Sequence, residues 1–311
     1  MKTMQEFADL VKDHIKEYLP ERFSEGTAML QEIVKDGDRH LTGLSIHIKG
    51  SSLAPLLYLD DFYDEYRFGR VNDLEDLVHE IADVYAKSCE TMPELDVPEF
   101  TYEGVKDRLR LRLVGTGRNE KGLKDLAHLS LDNGLALTVC IDMGVKGIAR
   151  VTHALAKSLS NDSESDLIND AMENTVKNYP AQLIDMENVL SQLAFGTESQ
   201  SEENLLFRDS APDVVPPLMV LSNRENWEGA VAICYPGIQE EISRVVGGNY
   251  YVIPCSIHEV LIMPDDGLVE PDALTEMIQS INASEVSLED QLGDYPLYYD
   301  VRTGLLSVVN G

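Results

Sequence analysis

Residues 218–264 read LMVLSNRENWEGAVAICYPGIQEEISRVVGGNYYVIPCSIHEVLIMP, and their pattern sets the fold class. Two short apolar runs, 218–222 and 230–235, flank the polar stretch 223–229 and read as a strand pair. Pro236 stands at a helix start and Gly247-Gly248 at its end, enclosing Ile238, Ile242, Val245 and Val246 at helical spacing. Residues 250–253 and 257–263 form a second strand pair around Pro254-Cys255-Ser256. Downstream, a helix over 271–281 carries Leu274, Met277, Ile278 and Ile281 on one face. A last pair, 295–301 and 305–309, closes around Thr303-Gly304. Sequential strands joined by tight turns pair antiparallel. The expectation is therefore an α+β fold of antiparallel hairpins with helices packed on one face, in two lobes, and not alternating βαβ units.

Working outward, the first helix is marked by a capping box, Thr3 with Glu6, and by Phe7, Leu10, Val11 and Ile15 at helical spacing. Leu44, Ile46 and Ile48 alternate as a half-buried strand, and 53–59 can return as its partner through Gly50-Ser51-Ser52. A second helix begins near Asn72 and carries Leu74, Leu77, Val78 and Ile81. In 101–126, Arg108, Arg110 and Arg112 alternate with leucines at strand period, yet Val105, Leu109 and Leu113 also form a helical row. Helix is the preferred reading there. Residues 135–142 and 146–152 read as a hairpin, and helices follow from Ser163 and near 185–195. The stretch 196–217, rich in Ser, Glu, Gly and Pro, reads as a linker between an N-terminal lobe (1–195) and a C-terminal lobe (218–311).

The 311 residues carry 55 acidic against 25 basic side chains, a net charge of -30. That charge repels nucleic-acid backbones and anionic membranes, so neither is expected as a partner; a basic protein is the partner it suits. No apolar run approaches the roughly 18 residues of a membrane span. Acids near the start argue against a signal peptide, and Cys89, Cys140, Cys234 and Cys255 form no paired motif. A reducing cytoplasm is the expected compartment.

Three groups of residues invite chemistry. Cys255 or Ser256 beside His258, after a proline turn, resembles a nucleophile with a base, although no third group orients the imidazole. Seven basic residues fall between Lys106 and Lys124, and the forks of Arg108, Arg110 and Arg112 suit an anion or phosphate. Pairing with the chain's own carboxylates is the plainer account of them. His79-Glu80-Ile81-Ala82-Asp83 lacks the second histidine of a zinc-protease helix, so no metal is expected. Gly115-Thr116-Gly117 lacks the ending of a phosphate loop, and no cofactor is expected either.

Residues 218–224, 229–237 and 251–264 resemble the family called domain of unknown function 5688. So do the middle segments Ala171-Met-Glu-Asn-Thr175 and Met186-Glu-Asn-Val-Leu190, together with 105–109 and 282–286. The resemblance spans most of the chain and implies a cytoplasmic bacterial protein, with no activity or catalytic residues to carry over. The functional expectation is a non-catalytic binding protein. The alternatives are a hydrolase-like enzyme using Ser256 or Cys255 with His258, or an anion binder through the arginine cluster. Nothing in the sequence speaks to oligomeric state.

Overall fold

The computed structural model describes residues 2–48, 54–71, 73–91, 98–144, 147–159, 163–195, 204–207 and 214–309. The chain divides into two units, Met1–Glu94 and Leu95–Gly311.

In the first unit, α1 (Met4–His14) starts on the expected capping box: Thr3 accepts the backbone N–H of Glu6, whose carboxylate accepts the N–H of Thr3. An antiparallel sheet in the order β1-β2-β3 follows, from β1 (Thr27–Lys35), β2 (Arg39–His47) and β3 (Leu57–Tyr58). α2 (Asp60–Arg67) and α3 (Leu74–Thr91) complete the unit. Phe7, Val11, Ile15, Leu44, Ile46, Leu77 and Ile81 make its core. Inside that core the Tyr85 hydroxyl accepts the Ile46 N–H at 2.7 Å. β3 returns against β2 as the sequence suggests; the turn at Gly50-Ser51-Ser52 lies outside the described residues, as does Asn72. β1 is an addition. It is an edge strand without a buried residue, so it lacks the strong alternation that marks β2.

The second unit opens with α4 (Tyr102–Val105) and β4 (Leu109–Gly115), then α5 (Glu120–Leu123), β5 (His128–Ser130), β6 (Leu135–Asp142) and β7 (Ile148–Arg150). β4, β6 and β5 are neighbours in that order, and β7 pairs with the remaining part of β6. After α6 (His153–Leu159) and α7 (Glu164–Asn178), the chain enters a larger sheet at β8 (Ala181–Asp185). α8 (Met186–Phe195), β9 (Met219–Asn223), α9 (Ile238–Val246), β10 (Tyr250–Ile253), β11 (Val260–Pro264), α10 (Pro271–Ser284), β12 (Leu297–Asp300) and β13 (Leu305–Val308) follow. The larger sheet is antiparallel, in the order β13-β12-β10-β11-β9-β8.

The class is α+β with antiparallel sheets. The pleat of β10 explains how the large sheet is covered. Tyr250 and Val252 point into the main core with Ile242 and Val245 of α9, whereas Tyr251 and Ile253 point the other way, onto Leu274 and Ile278 of α10. The sheet thus has a helix on each face, not on one face only as the sequence pattern predicts, because Tyr251 and Ile253 give the second face an apolar surface of its own.

Three further details differ from the sequence reading. Residues 109–115 are strand, not helix; both faces of β4 are buried, so its arginines do not mark a solvated side. Residues 230–235 form no strand: Gly229–Cys234 is a buried 3-10 turn, which a short apolar run cannot be distinguished from by periodicity. Finally, the chain divides after Glu94 and not at 196–217. β8 and β9 lie on either side of that stretch, yet they pair from Ala181 with Asn223 to Asp185 with Met219. Most of 196–217 lies outside the described residues; within it Leu205 and Leu206 are buried in the core that both sheets share.

Candidate functional site

Strand alternation builds the site. Leu109, Leu111 and Leu113 of β4 enter the main core, so Arg110 and Arg112 share the opposite face. Register sets Arg110 across from Cys140, which in turn faces Arg150, and sets Arg112 across from Thr138 and then His128. A sheet face carrying two arginines has to be covered by something polar.

The loop after β9 supplies it. Asn223, fully buried, folds the loop around its own amide. Its Oδ1 accepts the N–H groups of Glu225 (3.0 Å) and Trp227 (3.4 Å), and its Nδ2 donates to the Trp227 carbonyl at 2.9 Å. Asn226 and Glu228 both take the left-handed backbone conformation, with φ 49°. This swings Glu228 over β4, where it is 3% exposed. Glu228 Oε2 lies 3.2 Å from Arg110 Nη2, and Oε1 lies 2.7 Å from Arg112 Nε. These are ion pairs at contact distance, set off the N–H axes, because neither nitrogen meets hydrogen-bond geometry. Arg110, 1% exposed, is also sandwiched between rings: its guanidinium carbon stands 4.3 Å from the Tyr179 centroid and 4.7 Å from that of Trp227. Tyr179 donates to Asp142 Oδ2 at 2.5 Å, and burial followed by that bond pushes its phenol up to about 12. Beside Tyr179 lies a cleft of about 270 Å³, lined by Asp107, Arg108, Arg110, Asp142 and Asn178 among others.

His258 joins the same network from below. Its Nδ1 accepts the Glu228 N–H at 3.1 Å, which leaves the proton on Nε2, and Nε2 lies 3.6 Å from Asp290 Oδ1. The His258 carbonyl accepts from Ser222 Oγ at 2.8 Å and from the Gly229 N–H at 2.9 Å. Gly229 is required there: a Cβ would fall 2.2 Å from Ser222 Oγ and 2.5 Å from the Asn223 nitrogen.

The structure therefore splits the expected constellation. Ser256 Oγ accepts the backbone N–H of His258 at 3.0 Å, a local turn contact, and does not meet the imidazole. Cys255 turns to the other face of the sheet, among Leu274 and Ile278, where burial, then Glu259 and Asp294, push its thiol up to about 11. Of the arginines, Arg110 and Arg112 converge while Arg108 lines the cleft. What joins them to His258 is Glu228, a residue the sequence reading passed over. The signal available was a lone Trp-Glu pair just before a glycine. Elsewhere, Arg118 pairs with Asp294 and Lys106 with Glu103. His79 and Asp83 are 3.8 Å apart on an exposed face. Among the described residues no group of three His, Cys, Asp or Glu side chains could hold a metal ion.

Fold and site together define an α+β protein of antiparallel sheets with an ionic lock buried between one sheet and a loop of the other. The chain belongs to the Family of unknown function (DUF5688), whose model matches residues 4–301. No curated protein and no solved structure matches it. Among the described residues no helix is long and apolar enough to cross a membrane.

Proposed function

We propose that this chain is a non-catalytic, cytoplasmic bacterial protein that acts by binding a basic protein partner. The observation that supports it most is the commitment of His258: its Nδ1 is taken by a backbone N–H, and neither Ser256 Oγ nor Cys255 Sγ is its partner. A general base has to be free to take a proton from the nucleophile. The thiols point the same way. Burial pushes Cys140 and Cys255 up to about 11 and Cys234 up to about 12, and also raises Cys89, whereas a nucleophilic cysteine needs a lowered value. Four free cysteines suit a reducing compartment. The net charge of -30 favours a basic partner over nucleic acid.

Alkylation with iodoacetamide at pH 7.5, read by mass spectrometry, tests the reading, with a fluorophosphonate probe for the serine. Cys255 is expected to react no faster than Cys234, and Ser256 not at all. Rapid, selective labelling of either Cys255 or Ser256 would overturn it.

A further inference from the structure

The first unit holds a cavity of about 370 Å³ where the end of α1 and the turn beyond it meet the start of α3. Its floor is apolar: Leu10, Leu74 and Val78. Its polar groups are the carboxylates of Glu17 and Glu75, the Tyr18 hydroxyl and the His14 imidazole. Tyr18 donates to Glu75 Oε1 at 2.8 Å, and Glu17 lies 2.9 Å from His14 Nδ1. The Tyr18 phenol is held above its ordinary value by that bond, by burial, and by the field of Glu75, Glu17 and Asp73. Three carboxylates thus bear on one phenol over an apolar floor. The start of α3 does not consume Glu75, because Asp73 Oδ1 already accepts the Glu75 N–H at 3.0 Å.

Such a site selects its occupant by shape and sign. An anion is repelled, and a purely apolar group would leave carboxylates facing it. The volume sits at the small end of ligand sites, about 300–1,000 Å³, which suits a group the size of one side chain and excludes a dinucleotide. Lysine and arginine combine an aliphatic stem with a cationic end, and both bind aromatic faces. We propose that this cavity receives a protruding lysine or arginine side chain of a basic partner protein. The stem lies on Leu10, Leu74 and Val78, and the charge meets Glu17, Glu75 and the Tyr18 hydroxyl oxygen. The proposal rests on the reading of the chain as a binding protein and names where the partner is held.

The test uses the full chain and a fluorescein-labelled peptide of three lysines spaced by alanines, followed by anisotropy. Replacing lysine with norleucine is expected to weaken binding at least about tenfold, and Glu17→Gln with Glu75→Gln to weaken it by a similar factor. Asp272→Asn with Glu276→Gln makes the same change in charge on exposed residues of α10 and is expected to alter affinity less than about twofold. In the unmodified chain, amide resonances of Leu10, Glu17, Tyr18 and Glu75 should shift on titration, a readout that needs no variant. Equal losses in the two pairs of variants, no saturable binding, or shifts confined to other residues would each overturn the proposal. The alkylation result for Cys255 stands apart from these outcomes, so failure of this cavity and failure of the broader reading are distinguishable.

Discussion

Replacing Glu228 with glutamine keeps the side chain's shape and removes a carboxylate that touches both Arg110 and Arg112. Exposures of 1% for Arg110, 7% for Arg112 and 3% for Glu228 leave little water to take over that charge. Breaking a buried ion pair by removing one partner costs about 3–5 kcal/mol, because a charge stays behind uncompensated. The rings of Tyr179 and Trp227 hold Arg110 in parent and variant alike, so their attraction cancels from the difference. For a unit running from Leu95 to Gly311, each kcal/mol moves the midpoint by about 2–4 °C, giving a fall of about 6–20 °C. Urea unfolding followed by tryptophan fluorescence is well placed to read this, since Trp227 is the chain's single tryptophan and lies on the site. Arg110→Met should cost less, because Glu228 keeps Arg112 at 2.7 Å. In the double variant the costs should fall short of their sum by about 1–3 kcal/mol, the signature of direct coupling. If Glu228→Gln cost less than about 1 kcal/mol and the two effects simply added, the network would not be what holds the loop to β4.

Three further outcomes follow from individual contacts. Gly229→Ala should destabilise by about 1–3 kcal/mol or more, since the nearest atoms include the backbone nitrogen of Asn223 and the carbonyl of His258, which cannot swing aside; thermal unfolding reads it. Burial, the largest influence, raises the Glu259 carboxyl above its unfolded value of 4.5. Its stabilising share is present below 4.5 and is lost as pH rises through the higher folded value. Glu259→Gln should therefore match the parent in acid and become relatively more stable towards neutral pH, and a constant difference across that range would refute it. Burial also lifts the phenols of Tyr85, Tyr179 and Tyr298 from 10.0 to about 12. Unfolded phenols ionise first, so stability should fall as pH rises from about 10 to about 12, with absorbance at about 295 nm rising together with the loss of structure.

Much of the fold was legible because the information is local. The Thr3 capping box, the alternation in β2 and the turn at Thr303-Gly304 each involve neighbours in sequence, and each produces the expected element. The misread elements owe their state to distant partners. β4 is a strand because β6 pairs along its whole length, and β8 belongs to the large sheet because β9, beyond 196–217, is its neighbour. A polar stretch reports a loop, but the connection made across it is decided elsewhere in the chain.

The site sharpens the same point. Alternation of Arg110 and Arg112 with leucines was visible, and so was their plainer role of meeting the chain's own carboxylates. Which carboxylate does so was not visible among 55 acids. Glu228 is selected by backbone conformation: Asn223 ties the loop back, left-handed residues at Asn226 and Glu228 reverse it, and the absence of a Cβ at Gly229 lets it approach His258. His258 next to Ser256 looks reactive in a linear reading because adjacency is all that a sequence displays. In the bend before β11, Ser256 Oγ is turned onto the His258 backbone N–H, and the imidazole is captured by a peptide N–H thirty residues upstream. Of the residues that suggested chemistry, Arg110, Arg112 and His258 are thus drawn onto Glu228, while Cys255 turns to the other sheet face and Ser256 stays in its local turn. A binding surface, if it is to be independent of that network, has to lie elsewhere, and the acid-rimmed cavity at Tyr18 is made entirely of residues from the other unit.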